Sequence, residues 1–106
     1  MTNENWGLLG LGARAGTLVV GTSGVRAALQ RDELELVVVA GDHGQRTAEK
    51  VMRLAQARGV DTVIGPSANQ LGRQLGRSSV QSVGVRDRKL AAGILGANRP
   101  EHARRK

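Results

Sequence analysis

The residues best equipped for chemistry lie between Gly16 and Leu29, GTLVVGTSGVRAAL. A short apolar run, Leu18-Val19-Val20, feeds a turn of small residues, Gly21-Thr22-Ser23-Gly24, and that turn opens a helical pattern. The first turn of a helix leaves backbone N–H groups unpaired and carries a partial positive charge, so it suits phosphates and the acceptor edges of bases. Glycine there lets a ligand come close to the main chain. In a chain of formal net charge +7 this points to nucleic acid.

Nucleotide chemistry fits less well. Gly16 to Ser23 copies the spacing of a phosphate-binding loop, but Thr22 stands where the lysine belongs and the intervening residues read as a strand. Without that lysine the contact to the β- and γ-phosphates is missing, which argues against nucleotide hydrolysis. Gly10-Leu11-Gly12-Ala13-Arg14-Ala15 matches a dinucleotide fingerprint on paper, yet no buried strand precedes it. Small residues on a closely packed first helix are the simpler expectation.

Catalytic equipment is thin. The chain has no cysteine, His43 sits beside Asp42 in a loop, and His102 lies near the C-terminus. Neither histidine has a partner at the spacing of a catalytic triad or a metal site. Asp42, with Gln45 three residues on, reads as the cap of a long helix. Asp32, Glu33 and Glu35 read as a solvated turn and strand edge. The expectation is no enzyme, no metal and no cofactor.

Composition sharpens the choice of partner. Residues 1–65 carry 7 basic and 7 acidic side chains, whereas residues 66–106 carry 9 basic against 2 acidic, so the whole excess falls in the C-terminal part. Arginine outnumbers lysine 13 to 3, and its planar fork suits phosphate and guanine. Trp6 is the single aromatic residue, which argues against single-strand readers that stack bases on several rings. No apolar run approaches the length of a membrane span, and MTNENW lacks the basic start of a secretory signal. A cytoplasmic location without membrane contact is expected.

The elements that must position these residues alternate between helical and strand periods. The pattern predicts helices over 6–14, 22–31, 45–58, 67–75 and 87–95, and strands over 18–20, 34–40, 62–64 and 80–85. Leu34 to Ala40 is a continuous apolar run, as in a strand buried on both faces. Gln45 to Arg58 has Ala48, Val51, Met52 and Ala55 on one face, and Gly59 suits its C-terminal cap. Ser67 and Gln70 have capping-box spacing. Residues 1–96 should form one domain, a three-layer α/β/α sandwich. Residues 97–106, basic and interrupted by Pro100, should form a disordered tail.

The order of these signatures resembles the kink-turn RNA-binding ribosomal-protein family of the L-seven-Ae, L-thirty-e and S-twelve-e type, nearest its small bacterial branch. Leu8 to Gly21, Val25 to Leu29, Leu34 to Asp42 and Leu71 to Arg77 carry the likeness, which covers about residues 6–95. The resemblance implies a small mixed four-stranded sheet and RNA gripped by two elements. One is the turn and helix start from Gly21 to Ala27; the other is the loop from Gly76 to Val80, ahead of the last strand.

The site expected from both lines consists of Gly21, Thr22, Ser23, Gly24, Arg26, Arg77, Ser78 and Ser79. Arg73, Arg86, Arg88 and the tail would add phosphate contacts. The partner implied is structured RNA, ribosomal RNA foremost, bound by a monomer. The family's kink-turn pattern has Asn, Glu and Lys where this chain has Ser23, Gly24 and Ala27, so fold transfers and kink-turn specificity weakens. The alternative is a ribosome- or polymerase-associated protein-interaction adaptor, with ribosomal or transcription-elongation proteins as partners, that keeps the fold without reading RNA.

Overall fold

A computed structural model describes residues 6–42 and 45–97. Nine elements follow in chain order: α1 Leu8–Ala15, β1 Leu18–Val20, α2 Thr22–Gln30, β2 Leu36–Val39, α3 Gln45–Ala57, β3 Asp61–Ile64, α4 Ala68–Leu75, β4 Ser82–Val85 and α5 Arg88–Ala97. All of the expected elements are present. The strands expected over 34–40 and 80–85 are each trimmed to a four-residue core, and the last helix extends to Ala97. His43, His102 and the expected tail beyond Ala97 lie outside the described residues.

The four strands form one mixed sheet in the order β1-β4-β2-β3. β4 is antiparallel to both β1 and β2, while β3 runs parallel to β2. The last strand of the chain is thus inserted between two earlier, mutually parallel ones. That insertion brings the start of β4 beside the end of β1, with Val20 opposite Val83.

Strand alternation divides the core in two, because successive side chains point to opposite faces. Leu36 and Val38 join Leu9, Leu71, Val83, Val85 and Ile94 on the face covered by α1, α4 and α5. Val37 and Val39 join Val25, Leu29, Val51 and Ala55 beneath α2 and α3. β2 is therefore buried throughout, as its unbroken apolar run implied. On β4 the α2-side positions are Ser82 and Gly84, and a Cβ at Gly84 would lie 2.5 Å from Leu34 Cδ1. The Leu34 side chain, from the segment ahead of β2, packs directly over Gly84, so any larger residue there would have to displace it.

The same reasoning explains Gly12, whose Cβ would lie 2.5 Å from Leu90 Cδ2 and 3.1 Å from Leu18. Gly12 thus serves close packing on β1 and α5, whereas Gly10 faces Gln74 of α4 at ordinary contact distance. The capping box at α4 is present: Gln70 N donates to Ser67 Oγ at 3.2 Å, and Ser67 N donates to Gln70 Oε1 at 3.4 Å. His43 and Gly44, which lead from Asp42 into the helix it is expected to cap, lie outside the described residues, but Asp42 has a further partner. Its Oδ1 accepts the Ala68 amide at 2.7 Å, so it satisfies an orphan donor of α4 across space, a role invisible in sequence spacing.

Candidate nucleic-acid interface

Gly21 is where β1 turns into α2, at φ 101°, ψ 151°, a region open essentially to glycine alone. A Cβ there would meet nothing within 4 Å, so backbone geometry, not crowding, requires the residue. Its own amide donates to the Ser82 carbonyl at 2.9 Å, and its carbonyl accepts Val25 N at 3.0 Å, closing the first helical turn. No side chain caps this helix start. The amides of Thr22, Ser23 and Gly24 are left without acceptors among the described residues, and Ser23 is exposed.

The second expected element is held against the first through β4. Thr22 Oγ1 and Ser82 Oγ lie 3.2 Å apart across 60 residues of sequence, and Ser82 is fully buried. Upstream, α4 ends at Gly76 in the left-handed conformation and Arg77 N donates to Gly72 O at 2.7 Å. A Cβ on Gly72 would come within 2.8 Å of the backbone of both Arg77 and Ser79. The loop is therefore seated on the last turn of α4, leaving Arg77, Ser78 and Ser79 exposed. Val80 N then donates to Ala68 O, and Ala40 N to Gln81 O, tying the loop to both helix and sheet. Gln81 Oε1 is buried at this junction without a partner.

Both elements thus sit at one end of the sheet, joined by Gly21–Ser82 and Thr22–Ser82. No direct bond links Arg77, Ser78 or Ser79 to the Gly21–Arg26 segment among the described residues. Gly24 has a structural role beside any recognition role, since its Cβ would lie 2.9 Å from Val19 Cγ1. Arg26 is exposed one turn into α2, and Ala27 beside it is half-buried.

Charge is distributed differently in space than along the chain. Arg86 and Arg88, expected among the phosphate contacts, face Glu33 at 3.5 Å and Glu35 at 3.9 Å. They stand at the opposite end of the sheet from Gly21: Arg86 N bonds Thr17 O, ahead of β1, whereas Gly21 follows β1. Arg58 similarly faces Asp32 at 3.4 Å. Arg26, Arg73 and Arg77 have no carboxylate partner among the described residues. The N-terminal acids thus screen C-terminal arginines, which counting charges along the chain does not reveal. Among the described residues no group of three or more His, Cys, Asp or Glu is placed to hold a metal, and no helix is long and apolar enough to cross a membrane.

An α/β/α sandwich whose second helix opens with free amides, beside a loop feeding an inserted antiparallel strand, defines the class of this protein. Its residues 7–93 match the family model described as the Ribosomal protein L7Ae/L30e/S12e/Gadd45 family, and the chain belongs to that family. It is similar to an "RNA-binding protein" of Bacillus pumilus, 34% identical over 64 residues, 60% of this chain and 78% of the other. It is also similar to a solved structure described as a protein with unknown function from Bacillus halodurans. That match has 27% identity and a TM-score of 0.84, covering 89% of this chain and 96% of the other.

Proposed function

We propose that this is a non-enzymatic RNA-binding protein of the cytoplasm that docks on structured RNA, ribosomal RNA in the first instance. The observation that carries the reading is the uncapped start of α2, with the Thr22, Ser23 and Gly24 amides free beside an arginine-bearing loop. Family membership and the similarity to an "RNA-binding protein" support it. In this reading the amides donate hydrogen bonds to phosphate or base-edge oxygens, as helix N-termini do. Arg26 and Arg77 flank that point and supply charge-assisted contacts. Ser23 retains a hydroxyl, while Gly24 and Ala27 offer no polar side chain, so recognition rests on RNA shape and backbone rather than on guanine edges.

The test is a comparison of two variants against one structured RNA at fixed salt. R26Q/R77Q should weaken binding more than truncation after Gly96. The reverse order would move the interface to the C-terminal residues. Association with ribosomal particles that survives RNase would instead favour an adaptor acting through protein contacts.

A further inference from the structure

A second basic feature lies away from the α2 start. α2 and α3 follow parallel strands and pack side by side on one sheet face, and between them runs a groove of roughly 340 Å³. Arg26 and Gln30 line it from α2, and Lys50, Arg53, Leu54 and Ala57 from α3. Arg26, Lys50 and Arg53 are exposed, and no carboxylate lines the groove among the described residues. None of the three has an ion-pair partner among the described residues, although Arg58 on the same side finds Asp32. That pair joins the segments that follow the C-terminal ends of the two helices.

We infer that this groove is a phosphate track that takes the stem of the bound RNA beyond the helix-start contacts. Three like charges on facing helices repel one another, and none of them has an ion-pair partner among the described residues. A polyanion that lies along the groove relieves that repulsion and releases its own counterions. Arg26 belongs both to the proposed interface and to the groove, so the track continues directly from it. Half-buried Leu54 lies between the cations and gives arginine and lysine stems an apolar surface to extend against while their charged heads stay in water. The cations stand on facing helices, Lys50 and Arg53 three residues apart on α3 and Arg26 on α2, so that one anionic backbone lying between the helices meets all three.

The inference rests on the RNA-binding reading, and its test separates the two. Full-length protein is titrated over a range of salt with a hairpin carrying tandem G·A pairs, made with a long stem and with a short one. Wild type should prefer the long stem. K50Q/R53Q should bind it about tenfold more weakly, lower the salt slope by roughly 1.5, and lose the stem-length preference. Both side chains are exposed and unpaired, so an unchanged melting temperature checks that the fold is intact. If wild type binds while K50Q/R53Q keeps its affinity, slope and preference, the track is wrong and the groove is left to an acidic protein. If wild type binds neither hairpin, the RNA-binding reading itself fails.

Discussion

At Gly24 packing and recognition compete for one position. The family's kink-turn pattern has glutamate there, but in this chain a Cβ would lie 2.9 Å from Val19 Cγ1 on the neighbouring strand. Replacing a helical glycine normally gains about 0.5–1 kcal/mol. Here overpacking against β1 should outweigh that gain, so Gly24→Glu is expected to lower stability by roughly 1 kcal/mol, read as a fall in melting temperature. Positions 23 and 27 are not fully buried: Ser23 is exposed and Ala27 half-buried. Ser23→Asn with Ala27→Lys should therefore raise affinity for a tandem-G·A RNA. At about 1–3 kcal/mol per good base or phosphate contact, the gain should exceed tenfold, and an unchanged binding curve would count against placing RNA at this turn.

At the scale of elements, the start of α2 and the loop before β4 are joined through one buried serine. Thr22→Val removes a partner from Ser82, whose hydroxyl is fully buried, and should cost about 1–3 kcal/mol in denaturant unfolding. Adding Ser82→Ala removes the orphaned group, so the double variant should be more stable than the sum of the single losses implies. Gly72→Ala should push the Arg77–Ser79 backbone off α4 and reduce both stability and RNA affinity. The elements themselves were legible because their signals are local: capping at Ser67–Gln70, the apolar run of β2, the small turn after β1. The partners of Asp42 and Ser82 were not, because each bond spans strands or helices far apart in sequence, 26 residues in one case and 60 in the other. Likewise the cations of α3 were passed over. Its apolar stripe identified the helix, whereas the outer face carrying Lys50 and Arg53 acquires meaning only beside Arg26 of α2.

For the whole molecule, the net charge of +7 matters through where it is left uncompensated. Glu33 and Glu35 face Arg86 and Arg88 at one end of the sheet, while Arg26 and Arg77 have no acidic partner among the described residues. Such exposed pairs contribute at most about 1 kcal/mol to stability, but they screen those arginines from a polyanion. R86Q/R88Q should accordingly change RNA affinity far less than R26Q/R77Q when both are titrated under the same conditions. Affinity should also fall steeply as salt rises, and a flat profile would contradict an interface built on phosphate contacts. The most direct test follows the backbone amide resonances of the full chain as a tandem-G·A hairpin RNA is added. The account predicts the largest shifts at Thr22, Ser23 and Gly24, with a second group at Arg77 to Ser79. Shifts concentrated at Arg86 to Lys89 or in the C-terminal residues, with the Gly21 turn unmoved, would contradict it.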